Sequence, residues 1–173
     1  LYSRYVGDHF GELIFANYAP SISPRHRFYE NQGNKKEANV YAKVNHRFND
    51  RISGYLDLQY RGIIYTADGK LKGPEPMNIE ENYGFFNPKA GLVYTLNPNN
   101  KFYISFAIAH REPSRADFEN GNPKPEELND YELGWRFKRE KASLLVNFYA
   151  MDYTNQLALT GALDDVGTPI REN

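Results

Sequence analysis

The densest concentration of chemically capable side chains in this 173-residue chain is Arg25-His26-Arg27-Phe28-Tyr29. Two guanidinium groups and an imidazole beside two rings suit an anionic, ring-bearing ligand, held by charge-assisted hydrogen bonds and stacking. The blander reading has these residues touch only other loops. His26 also has the chemistry of a haem ligand. Arg111 and Arg115 flank a later loop and extend the same cationic set, although Arg111 has Glu112 beside it and other acids in reach. Adjacent carboxylates occur at Glu80-Glu81, Glu126-Glu127 and Asp164-Asp165. On polar loops such pairs are solvated surface far more often than a calcium or acid-base site. His9, His26, His46 and His110 never fall at H-x-x-x-H spacing, no G-x-S-x-G is present, and residues 62 to 70 lack the spacing of a phosphate loop. The residue types therefore point to binding, with no enzyme activity, metal site or cofactor expected.

The elements that must position these residues are strands. Lys101 to Glu112 reads KFYISFAIAHRE, with Phe102, Ile104, Phe106, Ile108 and His110 on one parity and Tyr103, Ser105, Ala107, Ala109 and Arg111 on the other. A period of two is a strand. The same alternation recurs at Val40, Ala42, Val44, His46, Phe48; at Ile52, Gly54, Leu56, Leu58, Tyr60; at Ala90, Leu92, Tyr94, Leu96; at Tyr131, Leu133, Trp135, Phe137; and at Leu144, Val146, Phe148, Ala150. Residues 1 to 11 resemble the end of another strand. The fold class expected is all-β, an antiparallel up-and-down meander of about seven to eight strands. A net charge of -1 argues against a nucleic-acid partner. With no cysteine the chain has neither disulfides nor thiolate-bound metal. No run of about 18 apolar residues offers a transmembrane helix, although strands can cross a membrane with a much fainter signal.

Two regularities separate a membrane barrel from a soluble sandwich. The apolar parity of the six clear strands carries no Lys, Arg, Asp or Glu, while the opposite parity carries Lys43, Arg47, Asp57, Arg61, Lys89, Arg111, Asp130, Glu132, Arg136 and Lys138. A sandwich core would be equally free of charge. The connections are sharper evidence, because they alternate: short at 49–50, 97–100 and 139–141, long at about 12–36, 67–84, 113–127 and 156–169. Short turns on one rim and long loops on the other are the layout of an outer-membrane barrel, with its apolar face in lipid. Phe48, Tyr94, Phe102 and Phe137 near the short turns, and Tyr60, Tyr65 and Tyr131 towards the long loops, would form the two aromatic girdles. The alternative class is a soluble all-β binding or adhesin module.

Three stretches carry a more specific likeness: the strand NPKAGLVYTL, the strand end AIAHREPSRADFENG and the strand start PKPEELNDYELGWRF. In these the chain resembles the C-terminal barrel of a TonB-dependent outer-membrane receptor. The resemblance implies active import of a scarce nutrient (an iron chelate or siderophore, haem, cobalamin or a glycan) across the outer membrane of a Gram-negative bacterium. Energy would come from the TonB complex through a plug domain. It also adds lipopolysaccharide to the bland contacts open to the Arg25 to Tyr29 loop. About seven strands fall well short of the roughly 22 of a plugged transporter. No plug precedes Leu1, and the C-terminus PIREN lacks a closing aromatic. Residues 1–173 are therefore expected to be one partial barrel domain. Its unpaired edges and apolar face would drive the isolated chain to self-associate.

Overall fold

The structure is a computed structural model that describes residues 1–18, 21–70, 76–163 and 169–173. Its strands are β1 (Tyr2–Glu12), β2 (Arg27–Arg47), β3 (Ile52–Lys70), β4 (Pro76–Asn97), β5 (Asn100–Arg111), β6 (Glu126–Arg139), β7 (Ala142–Thr154), β8 (Ala158–Leu163) and β9 (Pro169–Glu172), with a 3₁₀ turn over Arg115–Asn120. β1 to β7 form one antiparallel sheet in chain order, and β8 and β9 form a separate hairpin. The seven-stranded sheet does not close, so β1 and β7 are its edges.

Register follows the alternation. Phe102, Ile104 and Phe106 of β5 stand opposite Trp135, Leu133 and Tyr131 of β6, while Tyr103 and Ser105 oppose Gly134 and Glu132. Leu133 and Trp135 in turn oppose Phe148 and Val146 of β7. A slip of one residue would set Ile104 among Glu132 and its neighbours, so burying or exposing one whole face selects this pairing. Two of the expected short turns are locked by asparagine side chains. Asn49 Oδ1 accepts from the backbone N–H groups of Arg51 and Ile52 at 2.9 Å. Asn97 Oδ1 does the same for Asn99 and Asn100 at 3.0 Å, the side chain standing in for a backbone acceptor.

Two expected loops contain long runs of strand. Residues 27–36, 67–70 and 76–84 extend β2, β3 and β4 to 21, 19 and 22 residues, about twice what a tilted membrane strand needs. Residues 19–20, 71–75 and 164–168 of the expected loops lie outside the described residues. The expected third loop holds the 3₁₀ turn, and the fourth holds the β8–β9 hairpin. The added strand escaped a search for a dry face because it has no such face on the even positions. In β3 the odd positions are polar at Ser53, Asp57, Gln59 and Arg61, then become apolar and buried at Ile63 and Ala67.

The chain divides into two compact units. The first comprises Leu1–Asn39 and Gly62–Gly84. Ile63, Ala67, Met77 and Ile79 are buried in it, together with Asn31, whose Nδ2 donates to the Lys70 carbonyl at 3.2 Å. Gly69, at φ +136°, lets the end of β3 pass against the Glu30 carbonyl and Asn31. The second comprises Val40–Arg61 and Phe85–Asn173. There many large apolar side chains are exposed, Ile104 at 56%, Leu133 at 53% and Phe148 at 68%, while Phe85 and Leu157 are buried. On the other parity the Tyr55 ring lies over Gly91, and the Tyr103 ring lies over Gly134. Each ring fills space that a side chain would take and shields the bare glycine backbone.

Candidate functional site

The first loop leaves β1 at Glu12 and is pinned where it returns. Leu13 N–H donates to the His26 carbonyl at 3.0 Å, and Arg25 N–H donates to the Leu13 carbonyl at 2.8 Å. Arg25 occupies the left-handed region at φ +65°, which reverses the chain just before β2 begins at Arg27. From there alternation separates the five candidate residues. The Arg27 guanidinium lies 4.4 Å from the centre of the Phe10 ring and pairs with Glu30. Tyr29 packs its ring against Gly11. His26 and Phe28 meet edge to face, ring centres 5.3 Å apart, with Phe28 about half exposed. Arg25 has no ion-pair partner among the described residues. Arg25, His26 and Phe28 are thus exposed members of the cluster, while Arg27 and Tyr29 are already engaged.

Arg111 and Arg115 belong to the other unit. Arg111 donates from Nη2 to Glu126 Oε1 at 2.7 Å, and the same oxygen accepts the Leu157 backbone N–H at 2.7 Å. Glu126 thus clips the chain after β7 onto the start of β6. Arg115 opens the 3₁₀ turn, which is capped where Asp117 Oδ2 accepts from the Ser114 N–H and hydroxyl, both at 2.7 Å.

The carboxylate pairs dissolve as pairs. Glu80-Glu81 and Glu126-Glu127 lie on β4 and β6, where neighbours point to opposite faces. Asp164-Asp165 lies outside the described residues. Glu126 serves Arg111, whereas Glu127 faces His110.

His110 is the centre of an arrangement that sequence reasoning passed over. Its Nδ1 is 2.8 Å from Asn87 Oδ1 and its Nε2 is 3.2 Å from Glu127 Oε2. The Phe85 ring stacks on it with centres 5.1 Å apart and planes 9° from parallel. Asn87 Oδ1 also accepts the His110 backbone N–H at 3.1 Å, and Asn87 Nδ2 donates to Gln59 Oε1 at 3.1 Å. Arg61 and Glu112 make an ion pair at 3.4 Å in the same unit. The only sequence signal was a histidine on an apolar parity, and its partners come from strands 17 and 23 residues away.

On the polar parity of the second unit, Tyr55, Lys89, Lys101, Tyr103, Glu132 and Arg136 line a recess of about 260 Å³. Its lining thus holds three cations, an acid and two phenols beside Leu92, Val93 and Ile104. Among the described residues no three His, Cys, Asp or Glu side chains gather closely enough to hold a metal ion.

Residues 2–171 match the family model described as TonB dependent receptor-like, beta-barrel. The fold is similar to the closed form of the ferric-catecholate import receptor Fiu from E. coli K12, with a TM-score of 0.68 and 16% identity over 99% of this chain and 29% of that one. It is also similar to the open form of the same receptor, with a TM-score of 0.57 and 18% identity over 89% of this chain and 26% of that one. The chain thus spans under a third of the length of these solved receptors. None of the curated proteins matches it.

Proposed function

This chain belongs to the TonB-dependent receptor-like β-barrel family, and on that premise we propose that it forms part of the barrel of an outer-membrane receptor for active import of a scarce nutrient in a Gram-negative bacterium. It acts by binding and passage rather than by catalysis. The observation that carries this reading, beside the family match, is the exposure of Ile104, Leu133 and Phe148 on a charge-free parity, which a lipid surrounding makes stable across a whole sheet face. A soluble module would cover that face, so the family match and the exposure together displace the adhesin alternative. The plug and the TonB complex that it contacts are partners of the whole receptor. The strands that continue the sheet beyond β1 and β7 come from the same receptor. Without them the edges pair with other copies of this chain, which light scattering in the absence of detergent would register as assemblies larger than a monomer.

For the ligand we propose an iron chelate of catecholate type. A ferric catecholate is both anionic and ring-bearing, which is what Arg25, His26 and Phe28 are equipped to meet. The solved receptors of similar fold carry that substrate in their name. Replacing Arg25 and Arg27 together by Gln in the whole receptor should weaken equilibrium binding of a radiolabelled ferric catecholate by about 1.5–3 kcal/mol at most. Arg25 should dominate, since Arg27 is held by Glu30 and Phe10. Unchanged binding would assign the loop to lipopolysaccharide or neighbouring loops instead.

A further inference from the structure

The short-turn rim of the second unit combines two features that neither transport nor ligand capture requires. One is charge. Arg47, Arg51, Lys101, Lys138, Arg139 and Lys141 cluster there against only Asp50 and Glu140, in a chain whose net charge is -1. All eight side chains are exposed. Asp50 answers Arg47 at 2.8 Å, which leaves the positive excess on the other turns. The second feature is shape. The turns after β4 and β6 enclose an open recess of about 450 Å³ whose wall includes Asn99, Arg139, Glu140 and Lys141. Lys138 N–H donates to the Asn99 carbonyl at 2.8 Å and holds the two turns together.

Directly along the strands from this recess runs a groove of about 790 Å³ on the apolar parity. Its lining joins the small Gly54, Ala90 and Ala150 to the larger Phe48, Ile104 and Phe148, with Ser105 and Glu132 also reaching it. Between recess and groove stands Trp135, its indole Nε1 donating to Asn100 Oδ1 at 2.9 Å and its ring stacked with Phe102 at 6.4 Å. An indole anchored to a polar partner at one edge and packed on an apolar ring is the arrangement found at a membrane-water boundary.

We propose that this rim binds an anionic phospholipid of the periplasmic leaflet. The acyl chains lie in the apolar groove, and the phosphate is held by Arg139 and Lys141, with Arg51 adding to the field. The proposal rests on the barrel reading above, which sets short turns on the periplasmic side. Charge complementarity selects the occupant: a zwitterionic lipid would fill the groove equally well but gain nothing from the cations. Arg139 follows Trp135 and Phe137 on the outward parity, so its stem lies along apolar surface while its head reaches the phosphate plane.

The test uses the whole receptor in phosphatidylcholine vesicles doped with brominated phosphatidylglycerol or, at the same mole fraction, brominated phosphatidylcholine. Trp135 is the single tryptophan of this chain, and its emission is isolated by subtracting the Trp135→Phe variant. The anionic lipid should quench Trp135 with an association constant roughly 5-fold or more above that of the zwitterionic lipid, about one such factor per cation engaged. The triple variant Arg51→Gln, Arg139→Gln, Lys141→Gln should bring the ratio close to one while quenching by the zwitterionic lipid is retained. Equal quenching by both lipids in the unaltered receptor would overturn the lipid site and leave the barrel intact. No quenching by either would overturn the membrane reading itself.

Discussion

The two units of the chain use the same strands to opposite ends. In the first, Ile63, Ala67, Met77 and Ile79 are buried together with Asn31 of β2, and the charged groups of β1 and β2 stay at least partly accessible, as in a protein surrounded by water. In the second, Leu92, Ile104, Leu133 and Phe148 are exposed, and the opposite parity carries Lys89, Glu132 and Arg136. Within β3 the change comes between Arg61 and Ile63, two successive odd positions. Strand geometry is constant along this run. On the barrel reading proposed above, what changes is the medium: where lipid ends, an apolar side chain gains by turning inward, and the odd positions take over the core.

Three pairs of substitutions would sharpen that contrast or break it. The largest effect is expected at Ile63, which is 2% exposed. Ile63→Ala should destabilise the receptor by about 2–5 kcal/mol through lost burial and a residual cavity. Ile104→Ala should cost only a fraction of that, because lipid tails refill the space with contacts of the same kind. Urea unfolding in lipid vesicles reads both, and equal losses would erase the distinction between the units.

Next is charge on the outward parity. Ile104→Arg should cost about 2–4 kcal/mol if the residue sits near the bilayer midplane, and Ser105→Arg, on the polar parity, should cost little. The same titration in vesicles serves, and a reversed order would put lipid on the wrong side of the sheet.

The smallest effect concerns two left-handed glycines, Gly69 in the first unit and Gly121 in the second. Gly69→Ala would force a side chain onto a residue at φ +136° whose Cβ collides with the Glu30 carbonyl, at a cost of about 1–3 kcal/mol. Gly121→Ala, at φ +148° with nothing within 4 Å of the added atom, carries only the backbone part of that cost. Hydrogen exchange of the β2 and β3 amides should rise for Gly69→Ala and stay unchanged for Gly121→Ala. A rise in both would mean that the close approach of β3 to β2 does not matter.

Much of the second unit was legible from residue order alone. Alternation located β5 to within one residue at either end, asparagine-rich dipeptides marked the reversals, and the charge-free parity identified the face now seen exposed. These are local properties: a period of two and a side-chain acceptor in a turn depend on a few neighbouring residues. The extensions of β2, β3 and β4 were not legible, since Asn, Gly and Lys in the run ENQGNKK argue for a turn, and only pairing with β1 makes them strand. Nor was the surrounding of His110, which requires Asn87 and Glu127 to arrive from two other strands in one particular register. Of the five residues expected on the first loop, only Arg25 and His26 lie there, since β2 begins at Arg27, and the engagement of Arg27 was decided by Phe10 and Glu30 reaching it. Sequence by itself determined periodicity, turn chemistry and the charge-free face, because each is written in adjacent residues. Tertiary structure alone decided how far the strands run, which parity is buried in each unit and which charges are already spent, because those depend on residues that meet only when the sheet forms.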